Sequence, residues 1–261
     1  MTGAIALHGG GEFQPGDELF LARLLSLAAE AVVERGGGPQ EPIRIVIVPT
    51  AAARGRPALV GEYGKGAFER VAASGAVGVV SRPVAVAVEV VPVVDAASAA
   101  DAGMAGHLLE ADLIHLPGGD PDPIPTILPG TAAWRAIVAA HARGAVLAGA
   151  SAGAMALASW IWTPGGGVPG LGLVRGLVVV PHADPASWSS AIERFGAWIP
   201  PGLGLLGVTE RTGVISRPGV AARPGEAATW DVVGEGEARW SPAPDAATLV
   251  VPAGGSLRLP G

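Results

Sequence analysis

A serine between two glycines, Gly149-Ala-Ser151-Ala-Gly153, follows the apolar run Ala145–Ala148 and precedes the apolar stretch Ala154–Leu157. Small residues on both sides let a strand turn sharply into a helix and project the hydroxyl at the bend, the arrangement of a nucleophile elbow. The Ala152 N–H then faces the place where an oxyanion would form, at the positive end of the following helix. The same small residues would also serve simple close packing of a helix on a sheet. The pentapeptide therefore needs partners before it implies acyl transfer.

A serine nucleophile needs a base, and the base an orienting acid. The chain has five histidines. His107 and His141 fall on polar helix faces and read as solvated, and His115 lies inside an apolar run and reads as core. His8 and His182 both stand just past strand ends. His182 is the better base, because it follows the wholly apolar Leu177–Val180 and leads into a loop rather than a glycine run. Between Ser151 and His182 there is no Asp or Glu, which closes the α/β-hydrolase order of Ser, then acid, then His. The acid is therefore expected after the histidine. Glu210 stands at the corresponding point of the next strand. Asp184 is its rival, although two residues from His182 it would more naturally bond locally.

The elements that must position these groups alternate. Ala4–Leu7, Ile43–Val48, Ala111–Leu116, Ala145–Ala148, Leu177–Val180 and Leu203–Val208 read as strands. Helical spacing over Pro15–Arg35, Ala58–Ser74, Ala97–Glu110, Thr131–Arg143 and Trp188–Trp198 supplies the crossovers. Apolar segments at Val77–Val80 and Val84–Val94 add to the strand count. This alternation predicts a mostly parallel α/β sheet with helices on both faces. Beyond Gly213 the helical signal ends, and Gly213–Ser216, Ala228–Val233, Ala238–Ser241 and Thr248–Val251 read as antiparallel strands finishing the same domain, residues 1–261. Pro117-Gly-Gly119-Asp120 follows a strand, so the Gly119 amide can join that of Ala152 as an oxyanion donor. Asp120 and Asp122 open a Pro-rich turn. Arg54 and Arg56 follow the second strand, where open α/β sheets bind ligands; they would hold a substrate carboxylate or be simply solvated. Trp160 and Trp162 read as exposed loop aromatics that would wall a substrate.

Composition narrows the classes. The 261 residues are 49% hydrophobic and 15% charged, with a net charge of −6 and no block of Lys or Arg. Neither nucleic acid nor an anionic membrane surface is an expected partner. The absence of cysteine excludes disulfides, thiolate metal sites and a cysteine nucleophile. The uncharged run Gly144–Thr163 has the length of a membrane span, but its glycines and serines mark it as the buried elbow. No basic leader precedes the first strand, so a cytoplasmic enzyme is expected.

Six pieces in this order, His8-Gly-Gly-Gly-Glu12, Val48-Pro-Thr-Ala51, Leu116-Pro-Gly-Gly-Asp120, Gly149-Ala-Ser-Ala-Gly-Ala-Met155, Val180-Pro-His182 and Gly204–Glu210, span nearly the whole chain. In them the sequence resembles the S51 serine peptidases, which include peptidase E and the cyanophycinases, within the class I glutamine amidotransferase-like fold. The resemblance implies a flavodoxin-like sheet in which Ser151 replaces the amidotransferase cysteine. His182 would be the base, Glu210 the acid, and Gly119 and Ala152 the oxyanion donors. Asp120, Arg54 and Trp160 would meet the substrate. A small peptide cleaved at a peptide, aspartyl or isoaspartyl bond is the implied substrate, with no metal and no cofactor; a homodimer stays open. Pro121 stands where cyanophycinases carry Gln, which argues against that specific activity. A non-catalytic module of the same fold, binding a small molecule or partner, is the alternative from another class.

Overall fold

The computed structural model describes residues 2–38, 40–75, 84–219 and 227–260. The apolar segment Val77–Val80 lies outside the described residues. The chain opens with β1 (Ile5–His8), α1 (Glu18–Glu34), β2 (Ile43–Ile47), α2 (Pro57–Ser74) and β3 (Val86–Val90). It continues through α3 (Ala96–Ala100), α4 (Ala102–Leu109), β4 (Leu113–Leu116), α5 (Pro123–Ile127), α6 (Ala132–Ala142), β5 (Val146–Ala150) and α7 (Ala152–Leu157). Then come the hairpin β6 (Trp160–Thr163) and β7 (Gly166–Pro169), followed by β8 (Leu177–Val180), α8 (Pro185–Phe195) and β9 (Gly204–Val208). The chain ends in β10 (Thr212–Ser216), β11 (Ala228–Gly234), β12 (Glu237–Ser241), β13 (Leu249–Pro252) and β14 (Ser256–Leu259).

The apolar runs become strands that are covered on both faces, as parallel strands between helices must be. Every residue of β4 and β5 is buried. Helix α1 turns Phe20, Leu24, Leu25, Leu27, Ala28 and Val32 inward, and each fully buried leucine contributes about 1.5–3 kcal/mol. With Phe68 of α2, all of these but Val32 join the core on one face of the sheet. On the other face Leu108, Ile137 and Met155 from α4, α6 and α7 continue into the space beside Leu177, Val179 and Leu206 of β8 and β9.

Two sheets result. The larger runs β14-β11-β10-β1-β5-β4-β2-β3; from β1 to β3 its neighbours are parallel, and β10, β11 and β14 add an antiparallel flank. Because β10 occupies the free edge of β1, β8 and β9 pair with each other in a second sheet ordered β13-β12-β9-β8-β6-β7. The strands that deliver His182 and Glu210 are thus not in the sheet that delivers Ser151.

Three sequence expectations change locally. The helix over Ala97–Glu110 is two helices, because Asp101 takes an extended conformation (φ −66°, ψ 123°) and its carboxylate accepts the Met104 N–H to start α4. The expected loop around Trp160 and Trp162 is the β6–β7 hairpin. His141 is not solvated: only 8% exposed, it closes the end of α6 with its Nδ1 3.2 Å from the Ala145 carbonyl.

Candidate active site

Ser151 stands between β5 and α7 at φ 47°, ψ −113°. A non-glycine residue with positive φ stores on the order of 1–3 kcal/mol of strain, so the surroundings must hold it there. The Ser151 N–H donates to the His8 carbonyl at 2.9 Å, and the Ser151 carbonyl accepts the Met155 N–H at 2.9 Å. Close approach of α7 to β4 requires Gly153, where a Cβ would lie 2.0 Å from the Leu116 carbonyl oxygen.

Ser151, His182 and Glu210 come together in a row. Ser151 Oγ lies 3.0 Å from His182 Nε2, and His182 Nδ1 lies 2.8 Å from Glu210 Oε1. With the carboxylate accepting at Nδ1, that nitrogen carries the proton and Nε2 turns its lone pair to the hydroxyl. The imidazole and the carboxylate are 46% and 51% exposed, so the row opens to solvent along one side. Asp184 is not part of it: as the N-cap of α8 its carboxylate accepts from the amides of Ala186 and Ser187 and from the Ser187 hydroxyl. Those bonds hold the Asp184 carboxyl below the usual carboxylate range.

Beside Ser151 two backbone amides, those of Gly119 and Ala152, donate to no protein acceptor among the described residues. The Gly119 turn is fixed from both sides. Gly118 N–H donates to Glu12 Oε1 at 2.7 Å and Asp120 N–H to the Ala51 carbonyl at 2.8 Å. Gly118 is wedged between Glu12 and Ser151, since a Cβ there would lie 2.9 Å from Glu12 Oε1 and 3.0 Å from Ser151 Cβ.

The residues expected to meet substrate are placed differently. Arg54 is exposed, and its guanidinium donates to Asp120 Oδ2 at 2.9 Å and Asp122 Oδ2 at 3.0 Å. The cluster pushes Arg54 up, and it holds Asp122 below the usual range through bonds from Arg54 and, after it, Thr163. One guanidinium against two carboxylates leaves no surplus positive charge. Trp160 is 8% exposed, not a loop wall. As part of β6 its ring lies against Gly167 and in the core with Val180, Ala183 and Trp188. Trp162 instead stacks on Phe195, centroids 5.0 Å apart.

The sequence gives no site role to Glu12 itself. The signal was present in the glycines: a Cβ on Gly10 (φ 114°) would lie 2.2 Å from His182 Cε1, so this glycine run packs closely against the imidazole. Among the described residues no group of three or more His, Asp or Glu side chains is arranged to hold a metal ion, and no helix is long and apolar enough to cross a membrane.

A strand-to-helix serine elbow in a mostly parallel sheet, facing an imidazole, fits a hydrolase of the serine type. The chain belongs to peptidase family S51, whose model matches residues 25–199, and it is a serine peptidase. Its fold is similar to the crystal structure of a peptidase from an acI-B1 actinobacterium, with 24% identity, a TM-score of 0.74, and 99% of this chain and 98% of that one covered. A peptidase E-like protein from Listeria monocytogenes EGD-e is 16% identical, with a TM-score of 0.54 over 84% of this chain and 96% of that one. No curated protein matches the chain. A module without turnover is not favoured by this membership.

Proposed function

We propose that the protein is a serine exopeptidase that cleaves small peptides through an acyl-enzyme, with Ser151, His182 and Glu210 as its catalytic residues. The observation that carries this reading is the row of contacts, 3.0 Å from alcohol to imidazole and 2.8 Å from imidazole to carboxylate. Ser151 Oγ attacks the scissile carbonyl carbon as His182 Nε2 takes the hydroxyl proton, and Glu210 steadies the imidazolium. The C=O electrons move onto oxygen, where the Gly119 and Ala152 amides receive them. Collapse expels the amine, which leaves with the proton from Nε2. Water, deprotonated by the same nitrogen, then releases the acyl group. The preference for short substrates, with aspartyl and isoaspartyl bonds among the candidates, draws on the likeness to peptidase E-like proteins. We also read residues 1–261 as one domain, supported by β10 (Thr212–Ser216) pairing directly with β1 (Ile5–His8) near the other end of the chain.

A fluorophosphonate probe and a dipeptide screen test the reading together. Labelling is expected in the native protein and absent in Ser151→Ala; turnover is expected for Asp-X, β-Asp-X or other dipeptides and not for the same peptides embedded in longer chains. A Ser151→Ala protein that keeps its rate would remove the assignment.

A further inference from the structure

The row is drawn from three distant segments, and one short stretch touches all of them. Three successive carbonyls from the last residue of β1 onward each take one backbone amide: His8 O that of Ser151 at 2.9 Å, Gly9 O that of His182 at 2.7 Å, and Gly10 O that of Arg211, next to Glu210, at 2.8 Å. The Gly9 N–H in turn donates to the Thr212 carbonyl at 2.9 Å. This stretch is the only backbone on which the two sheets' contributions to the row are measured against each other among the described residues.

What fixes the stretch itself is buried behind it. His8 is 0% and Asp17 1% exposed. The Gly10 N–H donates to His8 Nδ1 at 3.2 Å, so the ring proton sits on Nε2, which lies 2.9 Å from Asp17 Oδ1 in a close polar contact out of hydrogen-bond alignment; neither of these two buried atoms has a hydrogen-bond partner among the described residues. Asp17 Oδ2 accepts the Phe13 N–H at 2.9 Å, so His8 and Asp17 close the segment between them into a loop. Asp17 is also the N-cap residue of α1, yet its side chain makes no capping bond; it is turned to the loop instead. A buried polar pair adds little stability over a well-packed apolar pair of the same shape, so folding alone gives weak reason for it. A chain of contacts runs from Asp17 through His8 to Gly10, whose Cα faces the His182 ring.

We propose that His8 and Asp17 are positioning residues, holding the loop carbonyls so that Ser151, His182 and Glu210 stay in register. The inference rests on the catalytic roles given above, and its test separates the two. A misplacement of about 1 Å costs roughly 100-fold in rate, so Asp17→Ala is expected to lose about that factor in kcat per folded molecule. KM is expected to stay within about twofold, because the loss is in the chemical step. Fluorophosphonate labelling should slow by the same factor as kcat. Asp17→Asn, whose carbonyl can still accept the Phe13 amide, should recover part of the rate. Phe20→Leu, which alters the ring 4.5 Å from His8 without touching the polar contacts, serves as the control: it lowers Tm and keeps kcat.

If Asp17→Ala does not fold, Asp17→Asn decides by the same split between kcat and KM. Full kcat in the Asp17 variants, or a loss no greater than that of Phe20→Leu at equal Tm, overturns the proposal. Turnover surviving in Ser151→Ala would instead overturn the catalytic assignment on which it stands.

Discussion

The two sheets contribute to the site in unequal ways. The larger one delivers Ser151 from β5, a strand buried along its whole length, at a backbone conformation that only a tightly packed turn sustains. The smaller one delivers His182 and Glu210 just beyond β8 and β9, where the side chains are about half exposed and the imidazole leans on Gly10 in the loop that leaves β1. Ser151 is thus set by close packing, while His182 and Glu210 are set by a few directional contacts at an open rim. The first kind of placement resists perturbation. The second is where substitutions should act on rate without acting on the fold.

Four substitutions test that contrast. Glu210→Gln leaves shape intact but gives Nδ1 a partner that does not enforce the required tautomer, and kcat should fall about 10²- to 10⁴-fold with Tm nearly unchanged; a rate within threefold of native (about 0.7 kcal/mol) would return the acid's role to another residue. Gly10→Ala pushes a methyl into the space of the imidazole, and steady-state kinetics should lose roughly 100-fold in kcat. A variant that keeps its rate would mean that His182 does not depend on the loop.

The interior of the larger sheet gives an effect of a different kind. Burial, with a smaller contribution from His8, pushes the His115 imidazole down to about 3. In the unfolded chain the same group takes up a proton near its ordinary value of 6.5. Above that pH both states are neutral and the group contributes nothing. Below it the unfolded state binds more protons, so stability falls by up to about 1.4 kcal/mol per pH unit as acid increases. Urea unfolding at pH 7 and pH 4.5 should therefore show a smaller acid loss in His115→Phe than in the native protein. Equal losses would remove His115 from the account. The smallest effect is expected for Asp184→Asn, which frays α8 and lowers Tm slightly while leaving kcat at the native value. A large loss of rate there would contradict the separation of the helix cap from the catalytic row.

Much of the site was legible because its signals are local or ordinal. Gly149 and Gly153 around Ser151 announce a tight turn, and the apolar run before His182 announces a strand end. The absence of any acid between the two forces attention to Glu210. The helix over Pro15–Arg35 was equally visible, but not that the Asp17 carboxylate turns back to His8 rather than capping α1. That contact depends on a loop closing in space. The division into two sheets was hidden for the same reason, since a buried strand reads alike whichever partner it finds. Trp160 misled because a short β-prone stretch beside glycines looks like a loop until its hairpin partner Gly166–Pro169 is known.

In this protein three carbonyls in a row each serve a different distant segment. The stretch from His8 to Gly10 therefore works as a ruler with no spare graduation. One residue inserted there would rotate every later carbonyl away from its amide, whereas one added at the turn between β6 and β7 would merely lengthen a hairpin. Tolerance to insertion along this chain should accordingly fall to its minimum in a loop that itself carries none of the reacting atoms.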